Sequence, residues 1–156
     1  MQDLDRTWVG GPFAEPARGW LASHAGDVRR LLDDFDQVVR AVAAARGAPV
    51  ITHGEPHPGN TMRSNGNLLL IDWDTVALAP PERDLWLVAT DSGEAARYAD
   101  ATGREVSSAA LSLYRQAWEL ADIAVFIDQF RSPHDRRADT EEAWTYLENS
   151  LGADNA

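Results

Sequence analysis

Lysine and cysteine are both absent from this chain of 156 residues, and each absence narrows its chemistry. Without cysteine the chain can form no disulfide and can offer no thiolate to a metal. All fourteen basic residues are arginine. Any mechanism that needs a lysine must therefore take it from another polypeptide.

Long apolar runs are missing as well, since no stretch approaches the roughly 20 residues that span a bilayer. Residues 1–5 are acidic and polar, unlike a secretory signal, so the sequence predicts a cytoplasmic location. The formal net charge of −11 argues against nucleic-acid and membrane partners. It would attract a cationic small molecule, although the commoner meaning of such a charge is simply an acidic, soluble surface.

The length predicts a single domain over residues 1–156. Within it we distinguish an irregular lead-in over 1–15 and a C-terminal helix and tail over 133–156. Apolar residues at helical spacing predict most of the helices, with Asp27 and Asp84 as N-caps. The predicted helices cover residues 17–23, 28–46, 85–90, 94–101, 107–130 and 140–151.

One β-hairpin interrupts these helices. Two β-prone runs, over 61–63 and 67–73, flank Ser64-Asn65-Gly66. An Asn-Gly pair between such runs is a strong signal for a tight hairpin turn. A further short strand over 49–52 leads into the loop that precedes the hairpin. The sequence therefore predicts a mainly helical α+β fold with one small hairpin.

Polar motifs lie at either end of this hairpin, over residues 53–60 and 71–74. Phosphoryl transfer requires a carboxylate that orients the attacking hydroxyl and takes its proton, and oxygen ligands that hold Mg²⁺. Glu55 can serve as the carboxylate, and Asn60 and Asp72 can serve as the ligands. The cationic groups that would neutralise the phosphates are not visible in the sequence.

A zinc site is the alternative that two histidines suggest. His53 and His57 lie four residues apart, a spacing that suits zinc when it falls on a helix. Pro56 and Pro58 argue against a helix, so the spacing gives little support to zinc. The prolines instead stiffen the loop, and rigid placement matters because a displacement of ~1 Å can cost about 100-fold in rate.

At these motifs the chain resembles the aminoglycoside phosphotransferase family, which shares the protein-kinase-like fold. The catalytic loop of that family has His-Gly-Asp, four residues and Asn, matched here over 53–60. Its metal-binding segment has Ile-Asp-Trp and a further acid, matched over 71–74. Many members continue with Pro, a few residues and Asp-Leu, as in 81–85. The resemblance covers residues 28–130.

The resemblance implies a role for each matched residue. Glu55 would be the catalytic base, and Asn60 and Asp72 would bind Mg²⁺ and, through it, ATP. Four residues would support this site: His53, His57, Asp74 and Asp84.

Among these supporting residues, His53 would organise the loop, and Asp84 would be a buried acid that accepts hydrogen bonds from it. For His57 a loop hydrogen bond and a role as catalytic acid both stay open. For Asp74 a supporting contact and a solvated loop position both stay open.

Two features depart from the family pattern. Glu55 stands where the family has Asp, which moves the carboxylate outward by about 1.5 Å. The N-terminal lobe of the family is a small β-sheet with a nucleotide-covering loop and a lysine, whereas residues 1–50 have no comparable strands and no lysine. We therefore expect the C-terminal lobe only, with a separate N-terminal lobe as a partner.

Two functions stay open from the sequence. In the first, the chain belongs to an ATP-dependent phosphotransferase acting on a hydroxyl of a small molecule, aminoglycoside-like or other. In the second, it is a truncated, non-catalytic kinase-like lobe that serves as an interaction module or is an inactive fragment. In both cases the isolated chain is expected to have little or no activity, because half of the ATP contacts would be missing.

Overall fold

The computed structural model describes residues 4–44, 47–89 and 91–151. These residues form a mainly helical α+β fold, as the sequence predicts, and no helix among them is long and apolar enough to cross a membrane. The elements are α1 (Ala14–Ser23), α2 (Ala25–Ala44), β1 (Val50–Thr52), a 3₁₀ turn (Pro58–Asn60), β2 (Thr61–Ser64), β3 (Asn67–Leu70), β4 (Ala77–Ala79), α3 (Glu82–Val88), α4 (Ser92–Thr102), α5 (Ser108–Arg131) and α6 (Ala138–Asn149).

The chain divides into two compact units. The first unit holds the residues up to Asp36 together with those from Gln116 onward, and the second holds Gln37–Arg115. Both polar motifs lie in the second unit. The assignment of residues 1–156 to a single domain stays a prediction.

Aromatic and aliphatic side chains form the core of the first unit. Trp8 and Phe13 precede α1, yet both are buried in this core, so the expected lead-in contributes to packing. Gly10 allows a close approach there, because a Cβ at this position would meet the carbonyl oxygen of Ser132 at 2.5 Å. His134 accepts a hydrogen bond from the Phe13 N–H through Nε2 at 3.1 Å.

Two antiparallel strand pairs form the sheet structure of the second unit. The expected hairpin is present, with Ser64 opposite Asn67 and a turn in which Asn65 and Gly66 have φ of +49° and +80°. Two successive positive φ values are typical of the tight turn that Asn-Gly favours. The other pair joins β1 to β4. The sequence did not predict β4, because Ala77-Leu78-Ala79 is short and has no β-branched residue.

Several predicted boundaries are wrong. Helix α3 begins at Glu82, directly after Pro81, so Asp84 lies in its first turn and is not its N-cap. Proline is well suited to a helix start, which explains the earlier beginning. Asp27 likewise lies in the first turn of α2. Strand β3 ends at Leu70 instead of Trp73, before a left-handed residue at position 72.

Helical spacing places Ala124 and Ile127 on one apolar stripe of α5, which predicts that this face is buried. In the structure Ala124 is exposed, whereas Ile123 and Phe130 are buried. Apolar residues surround most of this helix, so periodicity alone could not choose the buried face.

Candidate functional site

Asp84 holds the loop that carries Glu55. Its carboxylate accepts two backbone hydrogen bonds at 2.7 Å, from the N–H of His53 to Oδ2 and from the N–H of Gly54 to Oδ1. The carboxylate is partly buried, at the first turn of α3. Because both donors are adjacent, the two oxygens fix the direction in which the chain leaves β1.

His53 links this loop to the second motif. Its ring is 1% exposed, lies 4.7 Å from the ring of Trp73, and places Nε2 2.8 Å from the carbonyl oxygen of Ile71. Nδ1 accepts the N–H of Glu55 at 3.3 Å, so the proton lies on Nε2 and is donated to Ile71. Both ring nitrogens are therefore used in structure, which suits a loop-organising residue.

Gly54 lies where the backbone and two side chains meet. It has φ of +101°, and a Cβ there would lie 2.4 Å from Arg83 Nη2 and 2.6 Å from Thr75 Oγ1. A non-glycine residue would thus suffer both backbone strain and a collision. The Thr75 hydroxyl also donates to the His53 carbonyl at 2.6 Å, which joins the two motifs a second time.

Asn60 closes the loop. Its Nδ2 donates to the Glu55 carbonyl at 3.0 Å, so its remaining oxygen, Oδ1, is the atom available for coordination. His57 Nδ1 accepts the Gly59 N–H at 3.1 Å and caps the 3₁₀ turn over Pro58–Asn60. His57 thus makes the local loop hydrogen bond that was one of its two expected roles.

Asp72 has a left-handed backbone, with φ of +64°. This conformation is uncommon for residues other than glycine, although aspartate tolerates it better than most. The residue before it, Ile71, donates its N–H to the Asn60 carbonyl at 2.9 Å, so antiparallel pairing brings both ends of the hairpin to one edge. Strained backbones of this kind gather at functional sites, which makes Asp72 a strong candidate.

The structure thus brings most of the expected site residues into one network. His53, Asn60 and Asp84 are joined through backbone and side-chain hydrogen bonds, and Asp72 follows directly on the pair between Ile71 and Asn60. The Glu55 side chain is partly exposed beside them, whereas Asp74 lies exposed on the next turn of the chain.

The oxygen donors at this edge fit Mg²⁺ better than zinc. Among residues 4–44, 47–89 and 91–151, no group of three His, Cys, Asp or Glu residues could hold a metal ion. Asn60 and Asp72 offer one amide and one carboxylate oxygen at neighbouring positions. Mg²⁺ in phosphate-binding sites is commonly held by one or two protein ligands, with phosphates and waters completing its shell.

Three residues of the network escaped the sequence analysis: Thr52, Thr75 and Arg83. Arg83 Nη1 donates to the Thr52 hydroxyl and Nη2 to the Thr75 carbonyl, both at 2.9 Å. Their positions beside His53, Asp74 and Asp84 were a weak signal, because proximity in sequence does not reveal which side chains meet.

Burial raises the pKa of Tyr114 above its ordinary value of 10.0. The positive charge of Arg83 acts against this shift, and the carboxylates of Glu82 and Asp84 add to it. The phenol of Tyr114 therefore stays protonated at neutral pH, next to the helix that holds the loop.

A carboxylate-bearing loop held by the following helix, with a hairpin that returns to a second acid, is the arrangement that the family resemblance predicts. The chain belongs to the phosphotransferase enzyme family, whose family model matches residues 3–120. The resemblance to aminoglycoside phosphotransferases is thereby confirmed.

Known proteins similar to the chain include one sequence relative and two crystal structures. Protein StrN of Streptomyces griseus is 30% identical over 149 residues, which are 92% of this chain and 43% of StrN. Spectinomycin phosphotransferase in complex with ADP and spectinomycin has a TM-score of 0.73 at 21% identity, covering 96% of this chain and 48% of that one. Its AMP-bound complex has a TM-score of 0.68 at 22% identity, covering 89% and 45%.

The structural likeness at this level of identity shows a shared fold. The chain spans less than half the length of these relatives.

Proposed function

We propose that the chain supplies the metal-binding and acceptor-activating half of an ATP-dependent phosphotransferase site. The observation that carries this proposal is that hydrogen bonds link Glu55, Asn60 and Ile71, the residue before Asp72, at one end of the hairpin. Rigid hydrogen bonds to Asp84 and His53 hold that end in place. Phosphoryl transfer depends mostly on positioning and charge stabilisation, which suits so constrained a loop.

Glu55 acts as the base in this proposal. Its backbone is fixed on both sides, since its N–H donates to His53 and its carbonyl accepts from Asn60. The partly exposed carboxylate can reach an incoming hydroxyl, orient it and accept its proton as the phosphoryl group transfers. The longer side chain of Glu, compared with the Asp of the family, places this carboxylate farther from the loop backbone.

Asn60 and Asp72 hold Mg²⁺ in this proposal, and the bound ion would neutralise charge on the phosphates of ATP. Asn60 offers Oδ1 because its amide nitrogen is engaged by the Glu55 carbonyl. Asp72, which has a left-handed backbone, directly follows Ile71, whose N–H donates to the Asn60 carbonyl at 2.9 Å. The nucleotides in the similar crystal structures, ADP and AMP, support a nucleotide donor.

The acceptor is a hydroxyl of a small, cationic molecule. Spectinomycin, the compound bound in the similar structure, is the first acceptor to test. The net charge of −11 favours a cation over an anion as the acceptor. We also propose a cytoplasmic location, where ATP is available.

A separate nucleotide-covering lobe completes the site in this proposal. The chain has no lysine for the phosphates and corresponds to less than half of its relatives. Many large apolar side chains of the second unit are exposed around the two strand pairs, which supports a partner at this part of the surface.

Phosphoryl transfer to spectinomycin tests the proposal directly. The chain is incubated with Mg-ATP and spectinomycin, and phosphorylated product is measured by mass spectrometry over long incubations. We expect slow product formation that Asp72→Ala and Glu55→Gln abolish, whereas the exposed control Asp100→Asn leaves it unchanged. Equal product from wild type and Asp72→Ala would remove the metal-ligand role.

A non-catalytic interaction module is the second candidate, and the exposed apolar side chains favour it. Calorimetry with Mg-ATP tests whether nucleotide contacts are missing, whereas product formation separates the two functions. We expect the isolated chain to bind at about millimolar Kd or weaker in either case. Micromolar binding would contradict the view that half of the nucleotide contacts are missing. Product formation sensitive to Asp72→Ala would then exclude the module as the sole function.

A further inference from the structure

We propose that Arg83 is a positioning residue that holds the two halves of the metal site at a fixed spacing. The inference deepens the proposed function and rests on it for its link to metal binding. Arg83 has a forked guanidinium with two separate acceptors, the Thr52 hydroxyl and the Thr75 carbonyl, each 2.9 Å away.

These two acceptors flank different motifs. Thr52 is the last residue of β1 and directly precedes His53, which begins the Glu55 loop. Thr75 lies three residues after Asp72, on the chain that leaves the second motif. The Arg83 side chain therefore links the residue before the first motif to the residue after the second motif.

Asp84, next to Arg83 in the sequence, forms a different set of hydrogen bonds. Its carboxylate takes only donors of the first motif, the N–H groups of His53 and Gly54. Arg83 donates to one acceptor that precedes the first motif and to one that follows the second. Loss of Asp84 should therefore loosen the first motif, whereas loss of Arg83 should loosen the spacing between the two.

Arg83 lies in the first turn of α3, which is held in place by buried neighbours. Glu82 is 5% exposed and accepts the Ser107 N–H at 2.8 Å, and Leu85 is buried. The position of Gly54 fits the same arrangement, because any Cβ there would occupy the space of Arg83 Nη2.

An arginine suits this task better than a lysine. Its planar fork reaches two acceptors in fixed directions, whereas an ammonium is a single point charge on a flexible stem. Arg83→Lys should therefore keep the charge and lose the spacing. This separates a positioning role from a simple electrostatic one.

Amide hydrogen exchange of the whole chain tests the spacing without any ligand. We compare wild type with Arg83→Met, Arg83→Lys and Thr52→Val, using Arg97→Met as the matched control on an exposed arginine. In both Arg83 variants the amides of Ile71 and Val76 should exchange about tenfold faster. Those of His53 and Gly54, held by Asp84, should change little.

Thr52→Val keeps a similar shape while removing one acceptor of Arg83 and the hydroxyl donor to the Ala77 carbonyl. At Ile71 and Val76 it should give a smaller change of the same kind. Arg97→Met should match wild type. Unchanged exchange in Arg83→Met, or a uniform increase that includes α3 and α5, would overturn the positioning role.

Binding of Mn²⁺, a stand-in for Mg²⁺, tests the functional consequence by electron paramagnetic resonance. Loss of a residue that orients metal ligands commonly weakens binding by roughly 10- to 100-fold, which we expect for Arg83→Met. Asp72→Ala should abolish specific binding. If Asp72→Ala abolishes it and Arg83→Met does not weaken it, the positioning role is wrong.

If Asp72→Ala has no effect on Mn²⁺, the metal site of the proposed function is wrong. The exchange rates at Ile71 and Val76 then still decide whether Arg83 couples the two segments. The two proposals can therefore fail separately.

Discussion

At the scale of single residues, Asp84 and Gly54 make contacts that chemically similar residues would not reproduce. The two carboxylate oxygens of Asp84 accept hydrogen bonds from two adjacent backbone N–H groups. Gly54 leaves room for Arg83 and Thr75 while adopting φ of +101°. Both residues act through the backbone of the loop, so neither needs to touch a substrate to matter for function.

Asp84→Asn should reduce the free energy of unfolding by about 2 kcal/mol. The amide keeps the size of the carboxylate but has only one acceptor oxygen for two backbone N–H donors. One of the two N–H groups therefore loses its hydrogen bond. Urea unfolding followed by tryptophan fluorescence measures the change. Asp100→Asn, the same substitution at an exposed site of α4, should cost less than about 0.5 kcal/mol. Equal losses at both positions would contradict the role of Asp84.

Gly54→Ala should destabilise the chain more than Gly66→Ala does. Both glycines have positive φ, but a Cβ at Gly66 meets no atom within 4 Å, whereas at Gly54 it collides with Arg83 and Thr75. We expect a loss of about 1 kcal/mol at Gly66 from backbone strain, and about 3 kcal/mol at Gly54 from strain and collision together. Thermal unfolding of both variants under identical conditions compares them, and similar losses would show that the collision is relieved without cost.

At the scale of elements, the short helix α3 and the first part of α5 support the site. Helix α3 carries Arg83 and Asp84 on its first turn, and Glu82 joins it to the start of α5 through the Ser107 N–H. Burial raises the pKa of Tyr114 on α5, close enough to these residues to sense their charges. The pKa at which the Tyr114 phenol ionises should therefore depend on the packing of this region.

The alkaline stability of the chain should depend on Tyr114. Because its folded pKa is raised above the ordinary 10.0, the folded state holds the proton more tightly than the unfolded state. Its contribution is present below pH 10 and is lost as the pH rises through the folded pKa, so stability should fall in that range. Urea unfolding between pH 9 and 11 measures this fall, which Tyr114→Phe should reduce.

An ultraviolet titration near 295 nm checks the same residue directly. The chain has three tyrosines and neither lysine nor cysteine, so few other groups ionise there. Tyr114→Phe should remove a phase that titrates above the ordinary pKa of 10.0. Loss of an ordinary phase in Tyr114→Phe would contradict the effect of burial.

At the scale of the whole molecule, exposed apolar side chains are distributed unevenly. Nine of the fifteen large apolar residues found exposed in the described ranges fall between positions 51 and 78. They are Ile51, Met62, Leu68, Leu69, Leu70, Ile71, Trp73, Val76 and Leu78. Two-stranded ribbons are marginal in water without a packed face, so this segment is the part of the surface best suited to a partner.

In the absence of a partner, we expect the chain to self-associate through this segment. Ile51 and Leu78 are paired across β1 and β4 and are 73% and 72% exposed, so Ile51→Thr with Leu78→Thr removes apolar surface while keeping β-prone or polar side chains. The double variant should need about tenfold higher concentration to associate in sedimentation velocity. Val125→Thr, at an exposed position of α5, is the control and should behave as wild type. Identical association of all three proteins would place the contact elsewhere.

Local signals accounted for the parts of the fold that depend on neighbours in sequence. Asn65-Gly66 predicted the hairpin because two positive φ values are needed there and few residues supply them. Most helices followed from apolar spacing, although their ends shifted by a few residues. Strand β4 and the buried face of α5 could not be predicted, because each depends on what the rest of the chain packs against it.

The sequence by itself determined the family, the hairpin and the residue types at the candidate site, since these depend on short motifs and local backbone preferences. Only the tertiary structure decided how those residues meet. It bound the Asp84 carboxylate to the loop backbone, paired Ile71, the residue before Asp72, with Asn60, and joined the residues that flank both motifs through Arg83. Hydrogen bonds between residues some thirty positions apart form only when the chain has folded, and no local pattern encodes their partners.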